Sequence, residues 1–234
     1  MFCAVKNIYN HAYLSESEAS ALFDELRQLE PQHMLYRGKP VKSRPKLNFG
    51  DRDDDGCFPL YQWGQQHISY LEINQTPECI NAVRTQLERD FADILKLDIK
   101  MSCIVTFYHN GNDQYIPVHQ DKIVSTYSKP GRIETGTPIF ALSLGATREF
   151  YITDLSCLGA KVKDDFSVVE RFLVKHGDLC VMTGKQNENY GHGIPKDKSV
   201  TDLRISIVFR QVNLARVNPE LRYFIDKKGK RVDV

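Results

Sequence analysis

No apolar run in the sequence approaches the roughly 18 residues that a membrane-crossing helix needs. The opening stretch, MFCAVKNIYNHAYLSESE, lacks the charged-then-apolar pattern of a secretory leader. An intracellular location, cytoplasmic or nuclear, is therefore expected, with no membrane partner. The six cysteines (Cys3, Cys57, Cys79, Cys103, Cys157 and Cys180) are scattered and form no CxxC pair. That excludes zinc-finger spacing and reads as free thiols in a reducing compartment. Charge of one sign is also missing: 31 Lys and Arg stand against 30 Asp and Glu, for a net +1. Only a local patch, and not the global field, could attract nucleic acid. Repeats, low-complexity tracts and Pro/Ser linkers are absent as well. The 234 residues, 41% of them hydrophobic, read as one domain acting as a monomer. A chain of that length buries about 70% of its unfolded surface, so its core needs no staple.

The domain divides into a helical part over 1–100, a β core over 101–212 and a C-terminal tail over 213–234. Ser15 with Glu18 fits a capping box, and Ala19, Leu22, Phe23, Leu26 and Leu29 form one apolar stripe. A second helix is expected to begin at about Thr76-Pro77, with proline at its first position. Its apolar face runs through Ile80, Val83, Leu87, Phe91, Ile94 and Leu95. Between the two, residues 36–75 read as loops and short strands, a length more often functional than idle. Beyond residue 101 short β-like runs recur at 102–108, 115–120, 138–145, 148–153, 167–174, 178–183 and 203–212, with turn residues between them. The pattern predicts a mainly β sandwich or barrel backed by the N-terminal helices. The tail segment Lys227-Lys228-Gly229-Lys230-Arg231 reads as a flexible basic end.

The histidines supply the first chemistry. His119-Gln120-Asp121 is an HxD that follows the strand-like stretch Tyr115 to Val118. In extended chain His119 and Asp121 point to the same side. A second imidazole would complete a 2-His-1-carboxylate facial triad, which leaves positions open on Fe(II). His192 is the best third ligand, because Gly191 and Gly193 on either side of it allow close backbone approach. His11, His33, His67 and His109 read as ordinary surface or hydrogen-bonded residues, and His176 as part of the His176-Gly177-Asp178 turn.

The run Arg204-Ile-Ser-Ile-Val-Phe-Arg210 alternates. As a strand it places Ile205, Ile207 and Phe209 on one face and Arg204, Ser206 and Arg210 on the other. On a solvated sheet those arginines would pair with nearby carboxylates. Inside a barrel they would need an anion, and a dicarboxylate matches two guanidinium forks. Spacing alone leaves both readings open, since Arg216 and Arg222 share the six-residue interval.

Taken in order, the motifs are Tyr108-x-x-Gly111, His119-x-Asp121, Ser143-Leu-Gly-Ala-Thr-Arg148-Glu-Phe150, Gly177-Asp178-Leu-x-Val-Met182, His192-x-Ile194-Pro195 and Arg204-x-Ser-x-x-x-Arg210. This series resembles the AlkB family of Fe(II)/2-oxoglutarate dioxygenases over about residues 100–212. The resemblance extends upstream through Arg44-Pro-Lys-Leu-Asn-Phe-Gly-Asp51 and Tyr61, which resemble that family's nucleotide-recognition segment. It implies a double-stranded β-helix (jelly-roll) core, iron held by His119, Asp121 and His192, and 2-oxoglutarate chelating the metal with O₂ as co-substrate. It further implies that Arg204 and Tyr108 take the distal carboxylate, while Arg210 and Ser206 support the metal end. The implied activity is oxidative demethylation of N-alkylated bases in DNA or RNA, as in DNA repair. Three positions depart from the family pattern. Thr106 and Ser206 stand where Asn is frequent, and Ile123 stands where base-repair members carry an acid. The departures bear on which base is taken.

Local features add to that substrate reading. Residues 36–46, YRGKPVKSRPK, hold five basic residues and no acid, with Tyr36, Tyr61 and Trp63 as aromatics for stacking. The acidic run Asp51, Asp53, Asp54 and Asp55 works against the patch. Arg148 is a further candidate phosphate contact. Alkylated DNA or RNA is the expected partner; the alternative is an oxygenase of a protein side chain or small molecule, which the near-neutral charge and Ile123 favour.

Overall fold

The computed structural model describes residues 9–33, 35–36, 39–40, 44–52, 58–59, 73–96, 99, 101–121, 136–158, 168–212, 216–218, 223–225 and 231–233. Two mainly antiparallel sheets face one another across a shared cavity. The larger is built from β1 (Tyr9–Asn10), β2 (Lys46–Gly50), β3 (Ile73–Gln75), β4 (Met101–Tyr108), β6 (Ile139–Gly145), β9 (Leu179–Met182) and β11 (Arg204–Gln211). The smaller is built from β5 (Ile116–His119), β7 (Arg148–Thr153), β8 (Val168–Val174) and β10 (Gly191–Ile194). Their orders are β1-β9-β6-β11-β4-β2-β3 and β8-β7-β10-β5, with β2–β3 the one parallel pairing among them. This is a mainly β jelly-roll arrangement whose sheets remain open at their edges.

The expected strands appear within a residue or two of their sequence bounds. β11 shows why: its alternation is strict enough to separate two environments. Ile205, Ile207 and Phe209 are fully buried in the core beneath the helices, joined there by Leu47 and Phe49 of β2 and Phe107 of β4. Burying a side chain of that size stabilises the fold by about 1.5–3 kcal/mol each. Helices α1 (Glu16–Leu26) and α2 (Glu78–Asp90) cover this face with Leu22, Leu26, Ile80, Val83 and Leu87. α1 opens with the expected capping box. Ser15 Oγ accepts from the Glu18 amide at 3.3 Å, and the Glu18 carboxylate accepts from the Ser15 amide at 2.9 Å.

Several expectations need correction. α2 begins at Glu78 with Pro77 outside it as the N-cap, in extended conformation, and it stops at Asp90. Phe91 leaves helical geometry at φ −125°, so Ile94 and Leu95 are not on its apolar face. A short helix, α3 (Gly184–Asn189), stands between β9 and β10 on a second capping box formed by Thr183 and Gln186. Lys227 to Lys230 of the expected flexible end lie outside the described residues, and strands stand on either side of them. Arg216–Asn218, Tyr223–Ile225 and Arg231–Asp233 pair in succession as strands, and the first also pairs with Phe58–Pro59.

A buried carboxylate fastens the N-terminal strand to the core. Asp178, 0% exposed, accepts from the Ala12 amide at 2.8 Å, the Lys175 amide at 2.6 Å and the Tyr9 hydroxyl, with His11 Nδ1 at 2.8 Å. Its hydrogen-bond donors, led by Tyr9, outweigh burial and hold its carboxyl below the usual range. Gly177, at φ +80°, makes the turn that delivers Asp178, and a Cβ there would lie 2.9 Å from the Leu14 carbonyl oxygen. Among the described residues no helix is long and apolar enough to cross a membrane.

Candidate active site

Between the sheets lies a cavity of about 430 Å³. Its upper wall comes from β5 and β10 of the smaller sheet, where His119 and His192 are directly opposed partners. Their ring centroids are 4.3 Å apart. The close approach needs the glycines of β10: a Cβ on Gly193 would sit 2.8 Å from the Ile116 carbonyl oxygen. Asp121 follows two residues past His119, and one ligand atom from each of His119, Asp121 and His192 lies within 4.8 Å of the others.

Each of the three is fixed from behind. His119 Nδ1 is 3.0 Å from the Pro117 carbonyl oxygen, which leaves Nε2 facing Asp121 Oδ1 at 3.6 Å. The Asp121 backbone is held by a reciprocal pair with Asn187 of α3. Its amide donates to Asn187 Oδ1 at 3.0 Å, and its carbonyl accepts from Asn187 Nδ2 at 2.8 Å. Gln120 adds two bonds to the same helix, donating to the Asn187 and Glu188 carbonyls at 2.9 and 3.0 Å. His192 packs its ring on Phe150 with centroids 5.8 Å apart.

The donor set fits a divalent first-row metal. His192 is 8% exposed, and its Nδ1 is buried with no hydrogen-bond partner among the described residues. Burial, reinforced by His119 alongside, pushes His192 down to about 3, so it stands as the neutral imidazole that binds metal. Burial opposes the charge on Asp121, but the Arg210 guanidinium overcomes this and, with His119, holds the carboxyl well below its usual range. Arg210 donates Nε and Nη2 to Asp121 Oδ2 at 3.0 and 2.8 Å. Oδ1, the oxygen turned toward the imidazoles, is left to the metal position. Two imidazoles and one carboxylate with open positions are the donor set of Fe(II) oxygenases.

The opposite end of the cavity is different. Arg204 is 2% exposed, and its neighbours across β11 are Tyr108 and Gly145. Its Nη2 donates to Ser143 Oγ at 2.8 Å, and its guanidinium carbon lies 4.8 Å from the Tyr108 ring centroid. Nε and Nη1 are buried with no hydrogen-bond partner among the described residues. Burial lowers the pKa of Arg204, as expected for a cation short of counter-charge. A buried guanidinium with two unengaged donors fits an incoming carboxylate. Ser206, paired with Thr106 and Ser143 across the neighbouring strands, forms a polar floor between Arg204 and Arg210.

Two further basic residues line the cavity; in the sequence they stand in the basic patch and in the stretch Arg44 to Asp51 that resembles a nucleotide-recognition segment. Arg44 lies 5.8 Å from the Tyr108 ring and donates to the Tyr115 carbonyl. Lys46, 7% exposed, sits on β2 opposite Thr106. Burial pushes its ammonium down to about 7, with Arg44 and Arg210 adding to the effect and Asp121 opposing it.

The structure thus brings together seven of the expected site residues: His119, Asp121, His192, Tyr108, Arg204, Ser206 and Arg210. Arg148 is a correction. It is 1% exposed and donates to the carbonyls of Gln114 at 3.2 Å and Pro195 at 2.5 Å, so it clamps two loops and has no surface to offer a phosphate. Tyr61 and Trp63 lie outside the described residues. His176 serves its turn, accepting from the Gly145 amide at 2.8 Å. Sequence reasoning missed Asn187, although Thr183-x-x-Gln186 was a legible sign of the short helix that carries it.

Comparison with known proteins agrees with this geometry. Residues 7–210 match the family model described as the 2OG-Fe(II) oxygenase superfamily. The chain is similar to the DNA oxidative demethylase ALKBH2 of Mus musculus, at 28% identity over 109 residues, covering 47% of this chain and 42% of that protein. The Homo sapiens protein of the same name is 27% identical over 113 residues, covering 48% of this chain and 40% of that one. The aligned region thus spans less than half the length of these relatives. Among solved structures, that of OsALKBH1 shares the fold with a TM-score of 0.53 at 15% identity, over 87% of this chain and 95% of the other.

Proposed function

The chain belongs to the 2OG-Fe(II) oxygenase superfamily, whose members use Fe(II) and 2-oxoglutarate, and on that footing we propose that it oxidatively demethylates N-alkylated bases in DNA or RNA as one domain. His119, Asp121 and His192 hold the iron. Arg204 would take the distal carboxylate of 2-oxoglutarate, with Tyr108 and Ser206 lining the same cavity. Arg210 keeps Asp121 ionised and aimed. Bound together, Fe(II) and 2-oxoglutarate supply O₂-dependent hydroxylation of a substrate C–H bond, with succinate and CO₂ as the co-products. An N-methyl hydroxylated in this way breaks down to formaldehyde and the bare nitrogen.

The single observation that carries the enzyme reading is the pairing within one cavity of three convergent ligand atoms with the buried guanidinium of Arg204, whose Nε and Nη1 have no hydrogen-bond partner among the described residues. The remaining residues orient and exclude water. The Asn187 clamp fixes Asp121, and Phe150, Val174 and Met182 make the walls apolar. The nucleic-acid substrate is supported by the similarity to the ALKBH2 proteins and by the basic segment 36–46. The test is a panel of N-methylated oligonucleotides, DNA and RNA, incubated with iron, 2-oxoglutarate and O₂. Formaldehyde release with a 14 Da mass loss, 14 Da being roughly one CH₂, is the expected result. Succinate formation on the panel without demethylation of any member would overturn the nucleic-acid substrate.

A further inference from the structure

Side chains stand in rows across three neighbouring strands at the end of the cavity remote from the histidines. Register pairs Lys46 of β2 with Thr106 of β4, and Thr106 with Ser206 of β11. The next row lies two residues on, where Tyr108 stands opposite Arg204. On the other side of β4 the Phe107 amide donates to the Pro45 carbonyl at 3.0 Å. That bond carries the β2–β4 ladder past Lys46 and sets Arg44 across from Tyr108. Directly opposed residues of a ladder share a face. Arg44, Tyr108 and Arg204 accordingly all line the cavity, with the tyrosine between the two arginines. The guanidinium carbons of Arg44 and Arg204 lie 5.8 and 4.8 Å from the one ring centroid.

Arg44 is braced but not used up. Its Nη1 donates to the Tyr115 carbonyl, and Arg148 holds the adjoining Gln114 carbonyl at 3.2 Å, so two arginines steady the 114–115 backbone that aims Arg44. Arg44 Nε is buried and has no hydrogen-bond partner among the described residues, the same condition as Nε and Nη1 of Arg204. The two cations flank one ring and repel each other, and each carries a desolvated N–H with nothing to accept from it. One anion within reach of both offsets both costs. Two strand spacings separate the backbones of Arg44 and Arg204 by about 10 Å, and both side chains lean toward the ring between them. A carboxylate offers about four lone-pair sites on two oxygens, so it can accept from Arg204 and from Arg44 Nε together.

Resting on the cofactor assignment above, we propose that Arg44 is a second cofactor-binding residue, which donates alongside Arg204 to the distal carboxylate of 2-oxoglutarate and sets the preference of the cavity for a dicarboxylate over a 2-oxo acid without that group.

The test is anaerobic calorimetry on the full chain loaded with Fe(II), using two ligands. One is 2-oxoglutarate; the other is 2-oxovalerate, which has the same carbon chain with a methyl group in place of the distal carboxylate. Arg44→Gln should weaken 2-oxoglutarate roughly 10- to 100-fold, the scale of one hydrogen bond to a charged group, and leave 2-oxovalerate unchanged. Arg204→Gln should give the same pattern, more strongly. If Arg44→Gln weakens both ligands equally, Arg44 acts only through the 114–115 backbone and the proposal is wrong; it is equally wrong if neither ligand is weakened. Should Arg44→Gln not fold, Arg44→Lys keeps a cation for the Tyr115 carbonyl but replaces the planar donor set. The same selective loss, smaller in size, is expected of it, and its absence overturns the proposal. Anisotropy of a labelled oligonucleotide covers the role suggested by the sequence around Arg44: loss of oligonucleotide binding with both titrations unmoved makes Arg44 a nucleic-acid contact and not a cofactor residue. A wild type that binds 2-oxoglutarate no better than 2-oxovalerate removes the cofactor assignment at Arg204 as well, whereas a null result for Arg44 alone leaves that assignment standing.

Discussion

Arg204 and Arg210 stand on one face of one strand, six residues apart, and mark the two ends of one cavity in opposite electrostatic states. At the metal end, Arg210 and Asp121 neutralise each other through two hydrogen bonds. At the far end Arg204 is more deeply buried and retains two unengaged donors. One end is complete in the protein alone, and the other is incomplete until an anion arrives. Alternation along β11 treats the two residues identically. The difference between them comes from Asp121, delivered 89 residues earlier in the chain by β5 and held by α3.

The largest effect is expected from breaking the complete end. Asp121→Ala removes a metal ligand and leaves Arg210 without its counter-charge. Metal binding measured by calorimetry should vanish, and substrate-coupled succinate formation with it. Near-wild-type turnover in this variant would refute the triad. Next comes the incomplete end: Arg204→Ala should weaken 2-oxoglutarate binding by a factor of hundreds to thousands, corresponding to the roughly 3–5 kcal/mol lost when a buried carboxylate has no partner. Arg222→Ala, from the pair with the same spacing, should leave the titration unchanged; equal behaviour of the two variants would place the cofactor elsewhere.

Stability without ligands sharpens the contrast, because the two arginines should respond with opposite signs. Arg210→Met strands the Asp121 carboxylate and should destabilise the metal-free protein by about 3–5 kcal/mol. Arg204→Met relieves a buried cation with unengaged donors and should stabilise it by about 1–3 kcal/mol, seen as a rise in Tm. Both variants melting lower than wild type would remove the asymmetry. The smallest effect concerns Asp178, a buried carboxylate held chiefly by hydrogen bonds from the Tyr9 hydroxyl and the Ala12 and Lys175 amides, with His11 Nδ1 alongside. Its pKa is depressed on folding, so its contribution is present above the ordinary carboxylate value near 3.9 and is lost as pH falls through the lower folded value. The Tm gap between wild type and Asp178→Asn should be steady near pH 7 and close below about pH 4. A gap independent of pH would mean that the charge itself contributes nothing.

Much of this was legible in the residues because it is periodic or local. The alternation of β11, the Ser15 capping box and the pairing of His119 with Asp121 all depend on neighbours within a few positions. His192 could be singled out because glycines flank it. What escaped depends on partners distant in sequence. Arg148 looks like any exposed arginine until Pro195, 47 residues on, is seen to supply an acceptor. Lys46 reads as one member of a basic patch, since alternation separates it from Leu47 and Phe49 but cannot say which face of β2 borders the cavity. Only the sheet order, with β2 beside β4, decides that. The strands beyond residue 213 were hidden for the same reason, because Arg216–Asn218 finds its partner at Phe58–Pro59. Helix α2 was misjudged at its ends: apolar spacing continues past Asp90 although the backbone does not.

The direct opposition of His119 and His192 has a consequence for how the chain finds its native pairing. The ladder between β5 and β10 is irregular between His192 and Ile194, and β10 carries Gly191 and Gly193, so its own side chains specify the register weakly. A slip of one residue turns a strand's whole row of side chains to the other face. Only one alignment sets both imidazoles on the same side, within reach of Asp121. A metal ion held at that point binds the correct alignment and none of the others, and by mass action it deepens that state relative to all slipped ones. The centre assigned to chemistry is thereby also a proofreader of assembly, checking at one point that two strands more than seventy residues apart have met in step.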